Sequence, residues 1–347
     1  MIRFNCDYSE GAHPSILEKL AQTNLEQAPG YGQDIFCHQA AELIKNLCAA
    51  PQSEVHFLCG GTQTNLTVIA AMLRPYQCVI SADSGHINVH ETGAIEATGH
   101  RVLTAPAKDG KITAEQIDRL CQEHWQDDNP EFAPQPKLVY LSFPTEYGTL
   151  YSKAELSAIR RVCDANNLYL FIDGARLGYG LASPQNDLSL ADIAACCDAF
   201  YIGGTKLGAL LGEAVVIPNP KLQKDFRYFM KQKGAMLAKG RVLGLQFLAL
   251  FENGLYFSLA KHANETALFI RKACLDAGWE PLNDSPTNQQ FFLLPNEALK
   301  KLEVQYAFAH FGAADKNRTI VRICSSWATR QEDAEQLAAD IKRAGGK

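Results

Sequence analysis

Long hydrophobic runs, a surplus of basic charge and paired-cysteine motifs are all missing from this sequence, and each absence removes a class of function. No apolar stretch approaches the ~20 residues that a membrane-spanning helix requires. The opening Met1-Ile2-Arg3-Phe4-Asn5-Cys6-Asp7 sets no apolar segment behind a basic one, so no secretory signal is read there and a cytoplasmic protein is expected. Lysine and arginine number 33 against 38 aspartates and glutamates, a formal charge of -5. No global basic field therefore recruits nucleic acid or an anionic membrane. Cysteine occurs 11 times but never as Cys-x-x-Cys, and the adjacent Cys196 and Cys197 are too close for an ordinary zinc hook. Cysteines in apolar patterns, such as Cys163, Cys196 and Cys274, read as reduced core thiols, so neither a disulfide framework nor a metal site is expected.

What remains is a chain of 347 residues, 47% hydrophobic and 20% charged, which can bury a large core and favours two domains. Nearly continuous apolar runs at Val55–Leu58, Gln77–Ile80, Arg101–Leu103, Lys137–Ser142, Leu168–Ile172 and Ala199–Gly203 alternate with amphipathic stretches. That alternation predicts a mainly parallel sheet covered by helices on both faces. From about Leu245 the texture changes. A long helix through about Ala277, strands near Gln290–Leu294 and Thr319–Cys324, and helices near Asn296–Phe308 and Arg330–Ala344 predict a smaller α+β unit. The expected division is an N-terminal arm (1–30), a large α/β domain (31–244) and a small C-terminal domain (245–347).

Four places have the means for chemistry. Leu168-Tyr169-Leu170-Phe171-Ile172-Asp173-Gly174-Ala175-Arg176 sets an acid at the C-terminal end of a buried strand, where open α/β sheets present their ligand crevice. A loop-capping aspartate paired with Arg176 is the competing reading. Gly203-Gly204-Thr205-Lys206-Leu207-Gly208 brackets one lysine with glycines at another strand end. Partial desolvation there favours the amine that a Schiff base needs, although a surface loop is the commonest place for a lysine. Gly60-Gly61-Thr62-Gln63-Thr64-Asn65 lies between a strand and a helix and can cup a phosphate at the positive helix end, or be a plain glycine turn. His86 and His90, four apart, are a zinc pair short of ligands, hydrogen-bonded core histidines, or a cofactor-stacking ring with a proton-handling neighbour.

Their order along the chain resembles the threonine aldolase branch of the pyridoxal-phosphate (PLP) dependent β-eliminating lyases, within the aspartate aminotransferase (fold type I) superfamily. The most specific pieces are Tyr31-Gly32-Gln33-Asp34, Ile172-Asp173-Gly174-Ala175-Arg176 and Gly204-Thr205-Lys206. The resemblance implies a PLP-dependent transferase-like fold and PLP held as a Schiff base on Lys206. Asp173 would pair with the ring nitrogen, His86 would stack on the ring, and Gly61, Thr62 and Gln63 would bind the phosphate. Arg176 and Arg322 would grip the substrate carboxylate, as planar guanidinium forks suit it. Cys6 stands where many relatives offer a serine to that carboxylate. Many relatives carry a histidine near the substrate hydroxyl where this chain reads Ser142-Phe143-Pro144-Thr145-Glu146-Tyr147-Gly148. Glu146, and His90 where some relatives have tyrosine, are therefore the candidate bases. The implied activity is retro-aldol cleavage of L-threonine, L-allo-threonine or phenylserine to glycine and an aldehyde, with β-elimination, racemisation or transamination on the same scaffold as the alternative. The family also implies a homodimer or homotetramer with sites near the subunit interface, to which Lys233–Arg241 would contribute.

Overall fold

The strands that the sequence marks as unbroken apolar runs assemble into one seven-stranded sheet. The structure, a computed structural model, describes residues 1–345. In chain order the strands are β1 (Glu54–Leu58), β2 (Gln77–Ala82), β3 (Val102–Ala105), β4 (Gln135–Ser142), β5 (Tyr169–Asp173), β6 (Ala199–Gly203) and β7 (Glu213–Ile217). Their spatial order is β1-β7-β6-β5-β4-β2-β3. Only β7 runs against its neighbours; the other pairings are parallel. Every residue of β2, β6 and β7 is buried, which is why these strands read as continuous apolar runs rather than as alternation.

Strand parity decides which face each side chain meets. Leu170 and Ile172 of β5, Val139 and Leu141 of β4, and Phe200 and Ile202 of β6 join one core cluster together with helix α1 (Ile35–Leu47). Phe171, Tyr140 and Tyr201 point the other way, into a cluster with Val68, Ile69 and Met72 of helix α2 (Gly61–Met72). Asp173 follows Phe171 by two, so it points toward α2. A parity shift of one residue would bury it among aliphatic side chains instead.

The C-terminal part carries its own antiparallel sheet, β8 (Glu280–Pro281), β9 (Gln289–Pro295), β10 (Ala309–Ala313) and β11 (Arg318–Cys324), in the order β10-β11-β9-β8. Phe292, Leu294, Val321 and Ile323 form a separate core with the C-terminal helix Gln331–Ala344. The single helix expected from Leu245 to Ala277 is two helices, α3 (Arg241–Phe251) and α4 (Leu255–Asp276), which meet at a 70° bend. Gly254, at φ 67°, supplies the left-handed turn between them. The α4 helix bridges the two cores: Tyr256, Ala260 and Ala263 pack in the first, Ile270, Ala273 and Cys274 in the second. The helix expected over Asn296–Phe308 stops at Leu302, and Tyr306–Ala307 pairs in parallel with Ile2–Arg3. No single helix among the described residues is long and apolar enough to cross a membrane.

Candidate active site

Asp173 ends β5 with its carboxylate surrounded by donors. Tyr140 Oη donates to Oδ2 at 2.5 Å, Asn65 Nδ2 to Oδ2 at 3.0 Å, the Ala175 amide to Oδ1 at 3.0 Å, and Tyr201 Oη to Oδ1. The register makes this possible, since Tyr140 pairs with Phe171 and Tyr201 lies one step past the Ile172–Phe200 pair. Burial pushes the carboxyl up. The field of His86 and the donated hydrogen bonds outweigh that effect and hold it below its ordinary value. An ionised carboxylate is thus prepared at the floor of a cavity before any ligand arrives.

Lys206 follows β6 in a loop tied tightly to β7. The amides of Gly204 and Thr205 both donate to Gly212 O, Thr205 Oγ donates to Glu213 Oε1 at 2.9 Å, and Tyr179 Oη donates to Lys206 O at 2.5 Å. Burial, then the positive field of Arg176, lowers the Lys206 amine below its ordinary value against the pull of Asp7, Asp173 and Glu213. Glu213, which sequence reasoning did not single out, is raised by burial, with Lys206 opposing.

Helix α2 starts at the same cavity. Gly60 precedes its first turn, and no side chain caps it. Its first amides are therefore free to meet an anion. A side chain at Gly60 would meet nothing within 4 Å, whereas one at Gly61 would stand 3.2 Å from Tyr201 Oη. The open backbone is a cradle, and Gly61 keeps it clear of the hydroxyl that serves Asp173. The cavity, about 300 Å³, is walled by Gly61, Thr62, His86, Glu146, Asp173, Arg176 and Lys206, with Tyr8, Tyr201 and Glu213 among the rest.

Residues 6–296 match the β-eliminating lyase family. The chain belongs to that family. The low specificity L-threonine aldolase of Pseudomonas sp. (strain NCIMB 10558) is 30% identical to it over 347 residues, 98% of this chain and 97% of that one. The threonine aldolase of Leishmania major superposes at a TM-score of 0.97 with 43% identity over 100% of both chains. An aspartate aminotransferase of Thermus thermophilus, at 15% identity and a TM-score of 0.73 over 99% of this chain and 91% of that one, shares the fold. The family is one of PLP-dependent lyases, and fold and family together imply PLP as the cofactor.

Not every residue singled out in this β-eliminating lyase's sequence reaches the cavity. Gln63 turns aside: its amide donates to Lys233 O at 3.2 Å and accepts from the Cys59 amide at 3.3 Å, tying two loops together. His90 closes the single helical turn His86–Val89, with its ring 5.5 Å from that of His86. Cys6 contacts Ser9 at 3.2 Å. Arg322, on β11, donates to Gln289 Oε1 and Asn5 O, packs over Phe311, and keeps a buried Nε with no partner. Gln63, His90, Cys6 and Arg322 all stand outside the cavity walls. Arg176 lines the cavity, yet its fork is taken by Asp7, Nε to Oδ2 at 2.7 Å and Nη2 to Oδ1 at 2.9 Å. The pairing of Asp173 with Arg176 weighed from sequence is replaced by this one. Asp34 of the Tyr31-Gly32-Gln33-Asp34 segment caps α1 by accepting from the Cys37 amide at 2.9 Å. The first three residues of that segment line a second cavity with Glu54 and His56.

Glu146 is half-buried, accepting from Ser142 Oγ at 2.5 Å and the His86 amide at 2.9 Å, both through Oε1. Burial raises its carboxyl above the ordinary value. Tyr140, Tyr201 and Glu213 sit within apolar strands and Glu91 in the bend after His90, so the sequence reading singled none of them out, and it took Asn65 only as the end of the glycine turn. The legible signal for the tyrosines was parity: each shares the face and the strand end of Asp173.

Proposed function

We propose that this chain is a PLP-dependent aldolase that cleaves L-threonine, L-allo-threonine and related β-hydroxy-α-amino acids such as phenylserine to glycine and an aldehyde. One observation supports it above the others: a lowered lysine amine, an ionised buried carboxylate and an uncapped helix start open into one cavity. That donor set suits PLP, which offers an aldehyde for Lys206, a ring nitrogen for Asp173 and a phosphate for Gly61 and Thr62. When bound, PLP supplies a conjugated ring that accepts the electron pair of the broken Cα–Cβ bond.

The protein's own groups do the rest. Lys206 Nζ is the covalent anchor, and Asp173 keeps a proton on the ring nitrogen by presenting negative charge to it. His86 offers its ring face, while Arg176, through the Nη1 that its pair with Asp7 leaves over, holds the substrate carboxylate; Arg322, on the small sheet, stands outside the cavity walls. Glu146 Oε2, the oxygen that neither Ser142 nor the His86 amide uses, receives the β-hydroxyl proton. Glu146 is favoured over His90 because it lines the cavity, and a carboxyl raised by burial is a better base near neutral pH. A homodimer or homotetramer working in the cytoplasm, with small amino acids as its ligands and neither nucleic acid nor membrane, belongs to the same reading.

The deciding experiment incubates the purified protein and PLP with threonine, allo-threonine and phenylserine, and identifies the products. Glycine plus the matching aldehyde is expected; ammonia plus a keto acid would replace the aldolase reading with elimination. In parallel, Lys206→Ala is expected to lose both turnover and the visible absorbance of lysine-bound cofactor. Retention of that band would sink the anchor assignment.

A further inference from the structure

Beyond the lysine and the acid, the site contains a buried carboxylate with no role yet. Glu91, five residues past His86, has a side chain 0% exposed. Its Oε1 accepts from His86 Nδ1 at 2.7 Å and from Asn65 Nδ2 at 2.7 Å, and Asn65 Nδ2 also donates to Asp173 Oδ2 at 3.0 Å. One amide nitrogen thus gives both its hydrogens to two carboxylates. The reversed amide would set an oxygen against both acids, so the direction of donation follows from the chemistry. The same logic applies to the ring, because a nitrogen 2.7 Å from a carboxylate oxygen carries the hydrogen. Glu91 Oε2 is buried without a partner. That is a cost an apolar residue would not incur, and it argues that the carboxylate is kept for what Oε1 does.

We propose that Glu91 is a positioning residue of this site: it holds His86 as the Nδ1–H form with Nε2 left as its variable nitrogen, and through Asn65 it ties the ring's place to Asp173. The other titratable groups facing His86 are His90, with ring centroids 5.5 Å apart, Asp173, and Glu146, which accepts the His86 amide. A stacking ring fixed from one side and an acid fixed from the other then share one rigid frame, which is what a planar ligand between them requires.

The inference rests on this cavity being the reaction site, but its test needs neither cofactor nor turnover, so its failure and that of the aldolase reading are separable. Nitrogen-15 imidazole spectra of the full cofactor-free chain, with His86 assigned by the signals lost in His86→Asn, report the tautomer directly. Neutral His86 is expected to carry its proton on Nδ1. Glu91→Leu, which leaves Nδ1 no acceptor, is expected to shift the neutral population toward the Nε2–H form. A proton found on Nε2 in the unsubstituted protein overturns the proposal, whether or not the variant folds. An unchanged tautomer in a folded Glu91→Leu also overturns it.

Discussion

Arg176 uses two of its donors on Asp7 before any substrate arrives; Asp7 is fully buried and the Arg176 side chain 12% exposed, with Asn288 Nδ2 donating to Asp7 Oδ2 at 2.9 Å as a third partner. Burial pushes the Asp7 carboxyl up. The charges of Arg176 and Lys206 and the donated hydrogen bonds overcome that and hold it at about 2, below its ordinary 3.8. A carboxyl whose pKa is depressed on folding stabilises the fold above its unfolded pKa and loses that contribution as pH falls toward the folded value, here some ~2 kcal/mol between about pH 4 and pH 2. Asp7→Asn leaves a buried guanidinium uncompensated, which costs about 3–5 kcal/mol near neutral pH. Urea midpoints at neutral and at acid pH are the check. The gap between parent and variant should narrow on acidification, and a gap independent of pH would show that the carboxylate charge is not what matters. The sequence made Arg176 legible as a carboxylate binder; which carboxylate it holds depends on an arm 169 residues upstream.

At the scale of elements, the strands were legible because burial on both faces leaves a continuous apolar signature, and the two chemical anchors were legible because they punctuate strand ends. The break between α3 and α4 was not, since the apolar pattern runs through it and one glycine makes the turn. Nor was the Tyr306–Ala307 strand, whose partner is Ile2–Arg3 at the opposite end of the sequence. Gly174 shows how closely the site-bearing strands meet: a side chain there would stand 1.9 Å from Tyr201 O, and the Gly203 amide donates to Gly174 O at 2.9 Å. Gly174→Ala must therefore part β5 from β6 and pull Tyr201 away from Asp173. The expected loss is about 3 kcal/mol, at the high end for overpacking, together with weaker cofactor uptake followed by absorbance titration. An unshifted urea midpoint would mean that the strand ends yield more easily than this contact implies.

Across the whole molecule, the cavity collects Asp173, Glu146, Glu213, Lys206 and Arg176 at the ends of buried strands, where the sheet cannot give all of them solvent. Charge is therefore shared out by stability as well as by chemistry, and the acids do not all pull the same way. Asp7 favours folding once ionised, whereas Glu213, raised by burial, disfavours folding once it must ionise. The sign follows from proton counting. Above the ordinary carboxylate pKa of about 4.3 the unfolded chain has released the Glu213 proton and the folded chain still holds it, so stability falls as pH climbs toward the folded value. Lys206, lowered by burial, has the opposite slope: the unfolded chain binds the extra proton between the folded value and the ordinary one, so stability rises with pH there. Glu213→Gln removes one of these slopes and keeps an oxygen for one of the two donors, Thr205 Oγ1 at Oε1 or the Gly204 amide at Oε2. In cofactor-free protein, the parent should lose stability relative to Glu213→Gln between about pH 5 and about pH 8. Parallel midpoints for the two proteins over that interval would show that Glu213 ionises where an exposed glutamate does, and that Lys206 has a full negative charge beside it throughout.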